Sequence, residues 1–146
     1  MIDLASPRDT EALGAALGRS LRAGDCVLLS GDLGAGKTTL ARGVLRGLGF
    51  DGEVASPTFP IVLTYEPPEL RLPLWHVDLY RIEDPAELEE LALDEARADA
   101  ALLVEWPERW PTPPPDALRL HLVPGATGRA LTARVPAAWE RRWPPR

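Results

Sequence analysis

Residues 31–38 read Gly-Asp-Leu-Gly-Ala-Gly-Lys-Thr, satisfying G-x-x-x-x-G-K-[ST] in full, and their flanks restrict the fold more than any other part of the chain. Before the octapeptide, Cys26–Ser30 is a short continuous apolar run, the pattern of a strand buried on both faces. After it, Leu40, Val44, Leu45 and Leu48 recur at helical spacing across residues 37–48, and Gly49 suits a C-terminal cap. A buried strand, a glycine-rich turn and an amphipathic helix, in that order, form a loop that closes around phosphate. The glycines let the backbone curl so that the amides of Gly31, Leu33, Gly34, Ala35 and Gly36 converge on one anion, and the helix presents its positive end to it. Lys37 supplies a mobile point charge to the β- and γ-phosphates, and the Thr38 hydroxyl is placed to ligate Mg2+. Of the 16 basic residues 15 are arginine, and the single lysine falls on the one position that requires it.

The remaining pattern alternates strands with helices. Residues 2–4 suit a short strand, and Ser6-Pro7-Arg8-Asp9 opens a helix carrying Leu13, Leu17 and Leu21 on one stripe before Gly24. Residues 59–65 and 72–79 read as strands. Asp84-Pro85-Ala86-Glu87 has the form of a capping box and opens a helix to about Ala98. Ala101–Glu105 is a second buried strand, residues 117–123 and 130–135 pair around Gly125–Gly128, and residues 137–143 suit a terminal helical turn. The class is α/β, a P-loop NTPase with a mixed, mostly parallel central sheet flanked by helices, in one domain over residues 1–146. Prolines crowd residues 66–73, 107–116 and 144–146, which read as rigid connections and a short tail.

Composition narrows the setting. With 45% hydrophobic and 26% charged residues the chain is globular rather than disordered, and no apolar run approaches the roughly 20 residues of a membrane span. One cysteine, Cys26, excludes an intrachain disulfide framework, which suits a cytoplasmic location. A net charge of −6 disfavours sequence-independent binding to duplex nucleic acid. The charge is uneven: residues 66–108 hold three basic and thirteen acidic side chains, residues 109–146 seven basic and two acidic. An acidic face for a basic partner and a solvated acidic helix both account for the first stretch.

A phosphate loop needs a further carboxylate at a neighbouring strand tip. Glu105 closes the run at 101–104 and is read as the metal-side carboxylate, against a plain surface glutamate. Asp78 lies inside an apolar strand pattern, where an unpaired acid is expensive; it orients water, holds Mg2+ through a water, or pairs with Arg81. His76 reads as a satisfied core histidine. Thr58, in Ser56-Pro57-Thr58-Phe59, lies on the connection that in switch proteins reaches over the γ-phosphate, where a threonine closes the metal shell; a simple turn is the alternative. The usual guanine-binding loop needs a second lysine, so adenine is favoured.

These blocks resemble one family. The run from Gly31 to Thr39, Ser56-Pro57-Thr58-Phe59, His76-Val77-Asp78-Leu79-Tyr80-Arg81 and Val104-Glu105-Trp106-Pro107 follow in the order and spacing of the TsaE (YjeE) family. Glu87-Leu88-Glu89-Glu90-Leu91 and Gly128-Arg129 extend the likeness over roughly residues 6–135. The resemblance implies a weak Mg2+-dependent ATPase required for N6-threonylcarbamoyladenosine modification of tRNA. It implies action with the transferase subunit TsaD and its paralogue TsaB, resetting that complex between turnovers and meeting tRNA through it. It also implies that Thr38 and Glu105 bind Mg2+, that Lys37, Asp78 and Thr58 support ATP use, and that Thr10, Thr39 and Arg129 lie near the nucleotide. A small-molecule phosphotransferase and a non-catalytic nucleotide-binding module are the competing classes.

Overall fold

The computed structural model describes residues 1–32, 34, 36–54 and 61–145. At its centre is the strand that precedes the glycine-rich loop, β2 (Cys26–Ser30), between parallel partners β5 (Ala101–Glu105) and β6 (Leu118–Pro124). Beyond β5 lies β4 (Leu74–Asp78), again parallel, and β3 (Val62–Tyr65) closes that edge antiparallel. Beyond β6 lie β7 (Arg129–Arg134) and then β1 (Ile2–Leu4), both antiparallel to their neighbours. The order β1-β7-β6-β2-β5-β4-β3 is thus a mixed sheet with a parallel centre, the α/β class that strand–helix alternation predicts.

Period-two alternation assigns each central side chain to a layer. Val27 and Leu29 of β2 and Ala101 and Leu103 of β5 share one core with Leu17, Leu40, Val44 and Leu45. Those partners come from α1 (Pro7–Ser20) and α2 (Lys37–Gly47). Cys26, Leu28, Leu102 and Val104 face the other way, onto Leu88 of α3 (Pro85–Leu91) and Leu93 of α4 (Leu93–Ala96). Burial there pushes the Cys26 thiol up to about 12, so at neutral pH it is a protonated core residue and not a nucleophile.

Local signals place most helix starts. Ser6 caps α1 through a reciprocal box with Asp9, with Pro7 in the first turn. Asp84 caps α3 by accepting from the Ala86 amide at 2.9 Å. The helix expected from 84 to 98 is instead broken at Ala92, whose φ of 53° is left-handed. The reason is phase. Leu88 and Leu93 are five residues apart, off any single helix face, and the turn at Ala92 brings both back onto the sheet. The terminal turn is shorter than expected, Ala137–Trp139, and is fixed by Arg142, which lies 3.9 Å from the Trp139 ring and forks onto Asp25 at 2.7 and 2.9 Å.

One packing device has no counterpart in the helical stripes. Gly14 and Gly18 of α1 meet Gly43 and Gly47 of α2 where the two backbones touch. A Cβ on Gly18 would stand 2.2 Å from the Val44 carbonyl oxygen, and one on Gly47 would stand 2.1 Å from that of Ala15. Spacing four on both helices lets the crossing interlock over a full turn. Helix propensity alone makes Gly47→Ala stabilising by about 1 kcal/mol. Here the added methyl meets the backbone of α1, and a net loss of roughly 1–3 kcal/mol is expected, read as a lower urea midpoint. A raised midpoint would show that the helices do not touch there.

Candidate functional site

The glycine-rich loop leaves the end of β2 and enters α2. Gly34 and Gly36 have φ of 80° and 103°, a region where side chains are strained, so the residue type and the bend go together. Gly36 is the N-cap of α2, which has no side-chain cap and no acidic residue in its first turn. The positive end of an eleven-residue helix is therefore left for an external anion. Lys37, only 6% exposed, donates from Nζ to the Gly31 carbonyl across the loop. Its ammonium also stands 4.1 Å from the centroid of the Trp106 ring, a cation–π contact. Trp106 itself is left-handed at φ 57° and packs against Tyr80 with centroids 4.8 Å apart. Thr38 is exposed at the helix start.

The acids arrive through strand register. Asp78 of β4 lies directly opposite Glu105 of β5, and Glu105 is opposite Leu29 of β2, one residue before the strand ends. Paired positions point to the same face, so both carboxylates belong to the layer that also holds α2. Both are buried, at 5% and 4% exposure. Asp78 accepts from the Tyr80 amide at 2.9 Å. His76, fully buried two residues earlier on that face, brings Nε2 to 2.6 Å from Glu105 Oε2. Its Nδ1 has no partner among the described residues. The Nε2–H of the ring donates to the carboxylate, and Nδ1 is turned toward the core. His76 is therefore a core histidine satisfied at Nε2, and its partner there is Glu105.

Beside the loop lies a cavity of about 230 Å³ lined by Ser6, Thr10, Gly34, Gly36, Thr39 and Arg129, among others. Its walls come from both ends of the chain, joined because β1 pairs with β7 at Leu4 and Arg129. Arg129 donates from Nη2 to the Gly34 carbonyl at 2.9 Å and so braces the phosphate loop. Thr10 is 2% exposed, its hydroxyl donating to the Ser6 carbonyl at 3.5 Å. Gly128 lets the chain pass here, since a Cβ would fall 2.4 Å from the Leu4 carbonyl oxygen.

The structure thus brings Gly31, Gly34, Gly36, Lys37, Thr38, Thr39, Asp78, Glu105, Thr10 and Arg129 to one end of the sheet and its α1–α2 layer. Leu33, Ala35 and Thr58 lie outside the described residues. Sequence reasoning missed Trp106 as the partner of Lys37 and His76 as the partner of Glu105. Their signals were adjacency to Glu105 for the first and i, i+2 spacing from Asp78 for the second. Among the described residues no helix is long and apolar enough to cross a membrane.

Residues 4–131 match the family described as Threonylcarbamoyl adenosine biosynthesis protein TsaE. The chain is 50% identical over 97 residues to the tRNA threonylcarbamoyladenosine biosynthesis protein TsaE of Streptomyces coelicolor, a stretch covering 66% of each chain and so just under two thirds of that relative's length. The protein of the same description from a Nostoc species is 41% identical over 132 residues, 87% of this chain and 80% of that one. Among solved structures, YdiB of Bacillus subtilis superposes with a TM-score of 0.75 at 30% identity, covering 93% of this chain and 85% of that one.

The buried His76–Glu105 pair yields a stability test. His76→Leu leaves the carboxylate buried without its donor and is expected to destabilise the fold by about 3 kcal/mol. Adding Glu105→Leu should restore a large part of the loss, giving a coupling energy of about 1–3 kcal/mol in a double-mutant cycle followed by chemical denaturation. Additive losses would show that the two side chains do not interact.

Proposed function

This chain belongs to the TsaE family, and from that premise we propose that it is a Mg2+-dependent ATPase serving the synthesis of N6-threonylcarbamoyladenosine in tRNA. The observation carrying the ATPase reading is the convergence on one sheet face of an uncapped helix N-terminus, a buried lysine and two buried carboxylates. Lys37 leaves the Gly31 carbonyl for the β- and γ-phosphates, which the amides of Gly31, Leu33, Gly34, Ala35 and Gly36 cradle. The adenosine enters the cavity at Thr10, Thr39 and Arg129. Arg129, already bonded to Gly34, ties recognition of that end to the shape of the loop.

The donor set fits magnesium, a hard cation that keeps several waters and takes one or two carboxylates plus phosphate oxygens. Thr38 supplies a hydroxyl and Glu105 a carboxylate whose other oxygen His76 holds, while no group of three or more His, Cys, Asp or Glu among the described residues forms a cage of its own. When bound, the ion neutralises charge developing on the phosphates. Asp78, fixed by the Tyr80 amide, orients the attacking water, and Thr58 answers to the γ-phosphate. Hydrolysis then acts on partners, the transferase TsaD and its paralogue TsaB, which it resets between turnovers; tRNA is reached through that complex.

The decisive measurement is ATP turnover of the purified chain with and without TsaD–TsaB. Turnover is expected to rise with the partners. Lys37→Ala, losing a charged hydrogen bond of roughly 1.5–3 kcal/mol, should weaken Mg·ATP at least tenfold in calorimetry. Glu105→Ala should reduce turnover and shift the Mg2+ dependence upward. ATP bound but never hydrolysed in the full complex would leave a nucleotide-binding module, and turnover stimulated by a metabolite instead would identify a phosphotransferase.

A further inference from the structure

The helices of the second face stop short. α3 and α4 cover β2, β5 and β4, whereas β6 and β7 contribute nothing to the core beneath them. On β6, Leu118, Leu120 and Leu122 are buried toward α1 and α2, while Arg119 and His121 are exposed on the opposite face. Register sets Arg119 directly across from Arg134 and His121 across from Thr132. On the other side, Ser30 of β2 is paired with His121, its hydroxyl 2.6 Å from Nδ1.

Two features make this more than a solvated surface. Like charges directly opposite on a sheet are destabilising, and an open face would accept any neutral residue there. Yet Arg119 and Arg134 face each other, and neither has an ion-pair or hydrogen-bond partner among the described residues. Two cavities of about 480 and 380 Å³ then share Ser30, Arg119, Leu120 and His121, forming one groove across β2, β6 and β7. The larger is walled by the proline-rich segment that follows the short helical turn Pro107–Arg109, with Trp110 half-buried in that wall. One carboxylate, Glu108, touches the groove.

We propose that this groove docks a single-stranded segment of RNA, its phosphodiester oxygens bridging Arg119 and Arg134 and a base stacking on Trp110. Guanidinium pairs bind phosphate and acidic side chains alike. The adjacent indole decides between them, because a flat aromatic beside cations suits the alternation of base and phosphate in an unpaired strand. The groove goes beyond the nucleotide site but borders it, since Ser30 immediately precedes Gly31, the carbonyl that receives Lys37. It accommodates a strand despite the chain's overall −6 charge because the arginines are concentrated where the acids are few.

Fluorescence anisotropy with a fluorescein-labelled single-stranded RNA oligonucleotide of mixed sequence tests this on the full chain. Binding is expected at low salt. Arg119→Ala with Arg134→Ala should weaken it at least tenfold and flatten the slope of log K against log salt by roughly 1.4, the loss of two phosphate contacts. Trp110→Ala should weaken it several-fold at every salt concentration with the slope unchanged. Mg·ATP binding, measured in parallel, should survive in both variants, since none of these residues faces the nucleotide. No binding at low salt, or equal binding by the double arginine variant, overturns the proposal while leaving the ATPase reading intact. Polyglutamate binding as tightly as RNA and indifferent to Trp110→Ala also overturns it, in favour of an acidic protein partner.

Discussion

The parallel pairing of β5 between β2 and β4 is the constraint on which the site depends. It sets Leu29, Glu105 and Asp78 at one level across three strands, so both carboxylates emerge where β2 turns into the phosphate loop. A register shift by one residue would turn both side chains to the opposite face and place them under α3 and α4. The hydrophobic alternation of the same strands opposes such a shift, because it would also move Leu103 and Val104 into the wrong layers. Packing in the core therefore fixes the position of groups that contribute nothing to the core themselves.

A second dependence runs through the helices. α2 follows the glycine-rich loop and α1 carries Thr10, and the glycine crossing locks one against the other. β1 adds the third wall by pairing with β7, which places Arg129 against Gly34. The cavity is thus assembled from the first ten residues, the loop after β2 and the turn before β7. Polar groups of the cavity and of the adjoining loop are held by backbone carbonyls rather than by flexible partners: Arg129 on Gly34 and Thr10 on Ser6 in the cavity, Lys37 on Gly31 in the loop. Such ties preset positions before any ligand arrives, which lowers the ordering cost of binding.

The two faces of the sheet have been put to different uses. The α1–α2 layer is closed, glycine-packed and borders the glycine-rich loop. The other is covered only in part, because α3 and α4 are short and broken at Ala92, and the remainder is polar. Ser30 and Gly31 join the two, being consecutive residues that point toward opposite sides of this division.

Local pattern in the chain accounts for the glycine-rich end of the candidate site. The glycine-rich octapeptide, the apolar run ahead of it and the amphipathic helix after it are governed by hydrogen bonds and periodicities within a few residues. They determine the class of fold and the place of Lys37 at the start of α2. Glu105 is legible as a strand-tip residue because the apolar run ends there. Other features are decided only by tertiary structure, because they are pairwise distances between residues far apart in sequence: His76 against Glu105, Lys37 over Trp106, Arg129 on Gly34 and Arg119 facing Arg134. The break at Ala92 belongs with them, since propensity favours a continuous helix and only the demand that Leu88 and Leu93 both reach the sheet overrules it. Sequence period tells which face a side chain takes on its own strand; which strand lies beside it, and in what register, is settled by the packing of the whole sheet.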